Sequence, residues 1–407
     1  MGTTTPEVLV VGGGIGGLAT AFVLRRAGVN VTLIERAAEF GEVGAGLQLG
    51  PNATRILDDW GLLENVKAIG VVPHNLVVRD AITNEELTRQ ELLGDFAERY
   101  GAPYVVAHRS DLHTVFLNAA RDAGVTLVTS EQIDRVETVG DRAIAHAVSG
   151  KTWEVDAVIA ADGLRSALRA QISDDAPVAS GYVAYRGTCP IDEVPELQHH
   201  DDVVVWVGPG CHFVQYPLRG GEVLNQVAVF QSPAFERGEA EWGGPEELEA
   251  AYKDCVEPIR EGLEHIWKDR QWQMYDREPI GTWVQGRMVL VGDAAHPMLQ
   301  YLAQGACQAI EDAEAIGRAV ANHVLAAQAD NAEQANNAGW PAALEEFAAE
   351  RTVRTAQVQR SARKWGASWH VDGAARVARN ALYKGRDAHS YEYLDWIYAE
   401  RNLAVTK

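Results

Sequence analysis

Short apolar runs broken by glycine set the pattern of the first part of the chain. Val8 to Val11 is an unbroken apolar run, then come glycines, then Leu18, Ala21 and Phe22 at helical spacing, then a second run from Val31 to Ile34. Unbroken runs of this length fit strands buried on both faces, and the spaced set fits a helix with one apolar stripe. The order is therefore strand, turn, helix, strand. Past Gly70 the texture alternates, and Leu76 to Arg79 and Glu86 to Leu92 read as antiparallel strands. The pattern of the opening returns near Tyr104, with a helix expected from Ser110 to Ala123 and a buried strand from Ala157 to Ala161.

Between Gly181 and Ser232 strand-like runs are punctuated by turns: Gly208-Pro209-Gly210 and Gly220-Gly221 bracket Cys211 to Leu218, and Val223 to Phe230 follows. Pro245 to Trp267 reads as helical and bent near Pro258. Met288 to Val291 then forms a strand before the turn Gly292 to Pro297, and Ile310, Ala313, Gly317, Val320 and Val324 mark one face of a helix. Gln328 to Gly339, rich in Ala, Asn and Gln, reads as a solvated loop before a C-terminal helical region.

Composition narrows the function classes. The 407 residues suit two domains, and no apolar stretch approaches the roughly 20 residues of a membrane span. A formal charge of −21 without a basic stripe argues against a nucleic-acid partner. The N-terminus lacks the basic lead of a secretory signal, so a cytoplasmic location is expected. Cys189, Cys211, Cys255 and Cys307 have no CxxC spacing or neighbouring His pair, which predicts reduced thiols and no metal site.

Chemistry enters with Gly12-Gly13-Gly14-Ile15-Gly16-Gly17, a G-x-G-x-x-G pattern that follows a strand and opens a helix, with Glu35 closing the next strand. Gly12, Gly14 and Gly17 supply the tight turn, the close approach of a pyrophosphate and close helix packing; Glu35 can accept from ribose hydroxyls. This predicts a dinucleotide site without choosing between FAD and NAD.

Two later elements make the choice: the strand ending at Ala161 runs into Asp162-Gly163-Leu164-Arg165-Ser166, and the strand ending at Val291 runs into Gly292-Asp293-Ala294-Ala295-His296-Pro297. With the glycine pattern, these residues resemble the class A flavoprotein monooxygenases, aromatic hydroxylases that use FAD and NADH or NADPH. The resemblance spans nearly the whole chain. It implies an α/β fold in which a Rossmann-like FAD-binding domain (residues 1–70, 101–175 and 281–327) carries an inserted antiparallel β-sheet substrate domain (71–100 and 176–280), followed by C-terminal helices (340–407). It places Asp162 and Arg165 near the pyrophosphates, Asp293 on the FAD ribitol or its phosphate, and Arg109 on FAD from a helix start. Arg36, Gln48, Gly305 and Ala306 complete the expected FAD contacts. A turn residue for Asp162 and a surface ion pair for Arg109 are the plain alternatives. No second strand-glycine-helix unit is seen, and the resemblance implies that NADH or NADPH binds transiently, without a Rossmann unit of its own.

The resemblance further implies dioxygen (O2) as oxidant and a small phenolic acid as substrate, so a base near the phenol is needed. His212 is the candidate, because period-two alternation puts His212, Val214 and Tyr216 on one face of a strand, a wall for an aromatic ligand. A hydrogen-bonded strand histidine is the bland alternative. His296 ranks below it as a structural neighbour of FAD. Gln300 stands where the family commonly has proline; it is expected to bond the phenol together with His212, with a harmless loop variation as the plain alternative. Glu311 and Asp312 read as helix-surface charges. Within the family, Gly210 to Arg219 and Leu299-Gln300-Tyr301 point to para-hydroxylation of 3-hydroxybenzoate to 2,5-dihydroxybenzoate (gentisate). A salicylate-type hydroxylase and an FAD dehydrogenase or oxidase without oxygen insertion are the alternatives. The carboxylate anchor stays open between Arg186 and Arg219, and a homodimer through the C-terminal helices is expected.

Overall fold

The computed structural model describes residues 5–41, 44–194, 201–327 and 338–399. Its centre is a six-stranded sheet ordered Val284–Gln285, Met288–Leu290, Ala157–Ala160, Glu7–Val11, Asn30–Ile34, Thr126–Val128, parallel throughout except for the first pair. The four residues of Ala157–Ala160 are all buried, as expected of a strand covered on both faces. Helices Ile15–Arg26 and Gly305–Val320 pack together on one side at close range: a Cβ added to Gly317 would lie 2.3 Å from Val23. Val136, Ala143 and Ala145, from a small antiparallel sheet, join the same core.

A second sheet of seven strands runs Trp272–Asp276, Val178–Pro190, Val223–Gln231, Cys211–Leu218, Val203–Gly208, Asn75–Asp80, Glu86–Glu91. It is antiparallel save for one parallel junction, Val203–Gly208 against Asn75–Asp80. Each face has its own core. Cys211 and Phe213 point to one, closed by Leu248, Tyr252 and Ile259; Val214, Tyr216 and Leu218 point to the other, with Tyr104, Val106, Leu299, Tyr301 and Trp369. The alternation read from the sequence is the alternation of these two cores.

Two expectations need correction. The stretch Pro245 to Trp267 is not one bent helix but Pro245–Tyr252 and Glu257–Gly262, followed by a single turn Leu263–His265. Pro258 sits in the first turn of the second helix, where its missing N–H removes no intrahelical bond, so it starts a helix rather than bending one. The expected loop Gln328 to Gly339 lies almost wholly outside the described residues. At the C-terminal end the helices are Trp340–Trp369, Gly373–Lys384 and Glu392–Tyr398. No described helix is long and apolar enough to cross a membrane.

Candidate active site

The glycine turn after Glu7–Val11 is a cradle that side chains would fill. A Cβ at Gly12, whose φ is +110°, would lie 2.3 Å from the carbonyl oxygen of Ala161, and one at Gly17 only 1.9 Å from that of Gly12. Gly14 is the N-cap of Ile15–Arg26, so the helix presents its first N–H groups at this turn. Glu35 is brought to it as expected: its carboxylate accepts from Gly13 N at 2.7 Å and from Ala37 N at 2.8 Å. Arg36, next in sequence, is exposed. A residue the sequence did not flag, the buried His113, donates through Nε2 to the Gly13 carbonyl at 2.7 Å and fixes the turn from below. These features, a glycine nest, a helix N-terminus and an acid at the ribose position, fit a dinucleotide.

Asp162 follows the strand next to Gly12, but its carboxylate is turned onto its own loop, accepting from Ser166 Oγ at 2.5 Å and Ala167 N at 2.9 Å. It caps the turn that carries Arg165, whose guanidinium lies 5.7 Å over the Tyr275 ring. Asp293 is exposed on the turn Gly292–Ala294, and among the described residues its carboxylate has no hydrogen-bond partner. Arg109 is exposed at the first position of Arg109–Asp122, its stem against Gly44. Gly305 and Ala306 open the helix Gly305–Val320 after its N-cap Gln304, which follows Ala303 in the left-handed region at φ +52°.

Glu311 and Asp312 are not surface charges. Asp312 is fully buried, accepting from His296 Nε2 at 2.6 Å and Gly292 N at 2.8 Å with one oxygen and from Arg351 Nε at 2.6 Å with the other. Glu311 meets Arg351 Nη1 at 2.5 Å and Asn52 Nδ2 at 2.6 Å. Burial alone would raise both carboxyls; the interactions of Asp312 with His296 and Arg351, and of Glu311 with Arg351 and Arg354, outweigh it, holding Glu311 at about 2 and Asp312 lower still. The helix is therefore buried on its charged side as well, because the long C-terminal helix brings Arg351 to it. His296 is held by Asp312 through Nε2 at 2.6 Å.

His212, Val214 and Tyr216 share the sheet face that packs with Tyr301 and Trp369, with the three side chains buried. The His212 ring is boxed by Tyr301 at 5.4 Å, Trp369 at 5.1 Å and His370 at 5.1 Å between centroids. Burial in this apolar box, with His370 adding to it, holds its pKa well below the ordinary imidazole range, so the ring is neutral at pH 7. Tyr216 lies beside Gln48 and Arg186, and burial raises its phenol, leaving it a hydrogen-bond donor. Gln48 accepts from Tyr104 at 2.6 Å, which places this expected FAD contact at the junction between the two sheets.

Gln300 begins the turn Gln300–Leu302 and precedes Tyr301, whose ring lies 5.4 Å from that of His212. Its Oε1 accepts from Arg186 Nη2 at 2.9 Å. A guanidinium can only donate, so the amide orientation is fixed and what Gln300 offers elsewhere is its NH2 group. Arg186 has no carboxylate within ion-pair distance among the described residues and lies 5.8 Å over the Trp272 ring. Arg219 is different: it is exposed and paired with Asp111 at 2.7 Å, which removes it as an inward anchor. His370 and Trp369 were missed as site residues; no local pattern marks them, since they arrive from a distant segment, and Arg186, considered only for the carboxylate, was not expected to hold Gln300.

The chain is similar to known proteins over nearly its whole length. Residues 5–346 match the family described as FAD binding domain. The 3-hydroxybenzoate 6-hydroxylase of Polaromonas naphthalenivorans (strain CJ2) is 39% identical over 96% of this chain and 95% of its own. The 3-amino-4-hydroxybenzoate 2-monooxygenase of Streptomyces cremeus is 35% identical over 96% of this chain and 94% of its own. Among solved structures, Klebsiella pneumoniae HpxO complexed with FAD and uric acid superposes with a TM-score of 0.81 over 96% of this chain and 94% of that one, at 24% identity, a likeness of fold.

Proposed function

The chain belongs to the FAD binding domain family and is an FAD-dependent aromatic-ring monooxygenase, and from that premise we propose that it hydroxylates 3-hydroxybenzoate para to the phenol, giving 2,5-dihydroxybenzoate. The observation that carries this reading is the wall formed by neutral, buried His212 and by Gln300, whose carbonyl is occupied by Arg186. A phenol set against that wall meets an acceptor for its proton and an amide donor for the oxygen left behind.

When bound, FAD reduced by NADH or NADPH supplies electrophilic oxygen from dioxygen. The protein's part is to ready the ring. Loss of the phenol proton to His212 pushes electron density to the ring positions ortho and para to the oxygen, and the para position of 3-hydroxybenzoate is the one that gives the 2,5-diol. Gln300 stabilises the phenolate through its NH2, and the positive charge of Arg186 behind it acts in the same sense. Val214, Tyr216 and Tyr301 exclude water, which strengthens each of these interactions.

The glycine cradle with Glu35, Arg36, Gln48, Arg109, Asp162, Asp293 and the helix start at Gly305 and Ala306 would hold FAD. Glu35→Gln keeps a hydrogen-bond acceptor but loses the charge, a difference of about 1 to 1.5 kcal/mol, so FAD should bind roughly tenfold more weakly. Titration of the stripped protein with FAD, followed by flavin fluorescence, measures it; unchanged affinity would remove Glu35 from the ribose.

Arg186→Met should lower kcat/KM for hydroxylation about tenfold by releasing the Gln300 carbonyl, whereas Arg219→Met should change it less than about twofold, because an exposed pair contributes only about 0–1 kcal/mol. Equal effects of the two would contradict the assignment.

The reaction itself is tested by NADH consumption in air with 3-hydroxybenzoate, salicylate, 4-hydroxybenzoate and 3-amino-4-hydroxybenzoate separately, each product being identified by chromatography. Gentisate formed in step with NADH loss supports the proposal. Coupled turnover of salicylate instead would favour a salicylate-type hydroxylase, and a product without label from 18O2 would favour a dehydrogenase or oxidase.

A further inference from the structure

Behind His212 stands a second buried histidine. His212 Nδ1 and His370 Nε2 are 2.8 Å apart, and the rings are stacked 18° from parallel. His370 is held in place independently: it caps the helix Trp340–Trp369, its carbonyl accepts from Gly210 N at 3.0 Å, and its ring stacks on Tyr182 at 4.5 Å.

We propose that His370 is a positioning residue for the base: its Nε2 accepts the Nδ1 proton of His212, which leaves the His212 Nε2 lone pair for the phenol proton and gives the resulting charge a second ring to occupy. This rests on the reading of His212 as the base. The proton count closes without a co-reactant: the phenol O–H breaks, an N–H forms at His212 Nε2, and the proton on Nδ1 is shared with His370.

The surroundings explain why a second imidazole is needed. Tyr182 faces the pair from Val178–Pro190, Tyr301 from the turn before Gly305 and Trp369 from the long helix; Tyr252 donates to the His212 carbonyl. The cation acting on His370 is Arg379, which donates to the Trp369 carbonyl and lies 3.6 Å from Asp80. Among the described residues no carboxylate is within ion-pair distance of either ring. His296, by contrast, has Asp312 at 2.6 Å. A proton arriving on His212 therefore meets no acid to neutralise it, and the one acceptor in reach is His370. His370 Nδ1 is buried without a partner, so neither tautomer of the pair is locked from that side and the shared proton is free to cross.

The test uses the oxidised holoenzyme with 3-hydroxybenzoate and without NADH, reading from ligand difference absorbance the pH at which the bound phenol ionises. His370→Leu should raise that midpoint by about one unit, a tenfold weaker acceptance of the proton. His370→Gln, which keeps an acceptor at the same reach, should stay close to wild type, and His370→Glu should lower the midpoint. Flavin absorbance and thermal melting verify the fold; should His370→Leu not retain FAD, absence of the downward shift in His370→Glu would overturn the proposal. A midpoint unmoved in a folded His370→Leu overturns it as well. His212→Asn separates the two readings: if it shifts the midpoint and His370→Leu does not, only the role of His370 fails; if neither does, the base assignment fails with it.

Discussion

His212→Ala should retain FAD and still oxidise NADH, while hydroxylation falls by about two to four orders of magnitude and hydrogen peroxide accounts for the missing product. The residue sits on the face of Cys211–Leu218 that Val214 and Tyr216 share, in a core separate from the one around the glycine cradle, so cofactor binding has no reason to change. On the proposed role, what is lost is the group that takes the phenol proton; a neutral phenol directs less electron density to the para carbon, and the oxidant decays unused. The pH dependence has a definite sign. Burial holds the His212 pKa well below the ordinary imidazole value of about 6.5, so the base stays unprotonated as pH falls through that value and is lost only at more acid pH. The acid limb of kcat due to this group should therefore lie below about 6.5 and vanish in the variant. Chromatographic product yield per NADH, with catalase added to reveal peroxide, decides it. Wild-type coupling in His212→Ala would show that the base is elsewhere, and His212→Asn controls for the cavity left by the shorter side chain.

How much of this was legible in the sequence depends on the range of the interaction. The cradle was, because Gly12, Gly14, Gly17 and the strand and helix around them lie within one βαβ unit, and Glu35 closes it. The face shared by His212, Val214 and Tyr216 was also legible, since alternation is a local property of a strand. His370 was not: it is 158 positions from the histidine it touches, and only the course of the C-terminal helix joins them. The same holds for Arg186 and Gln300, 114 positions apart. The misreading of Glu311 and Asp312 has this cause too. On one helix viewed alone two adjacent acids opposite an apolar stripe belong in solvent; Arg351, from a helix 40 and 39 positions further on, buries them. Sequence reading of one element at a time cannot see a counter-charge that a later element supplies.

That buried pair gives the second large effect. Asp312→Asn should destabilise the fold by about 3–5 kcal/mol, because it leaves the guanidinium of Arg351 buried and short of a partner. It should also loosen FAD, since Asp312 holds Gly292 N and His296 and thereby the turn on which Asp293 stands. The pH dependence follows from the lowered carboxyl: its contribution is fully present above the unfolded value of about 3.9 and is lost as pH falls from there toward the folded one, so wild type should lose stability over that range more steeply than Asp312→Asn. The magnitude comes from stranding one charge rather than from the worth of the pair, and that distinction can be measured. Removing both charges, as in Asp312→Leu with Arg351→Met, should restore part of the stability that the single change loses, because a buried pair is often replaced by apolar groups at little net cost. Urea unfolding of the three proteins, with flavin release followed in parallel, separates the cases. A loss below about 1 kcal/mol in Asp312→Asn would mean that water or Glu311 compensates Arg351, and that the turn bearing Asp293 is held by its backbone alone.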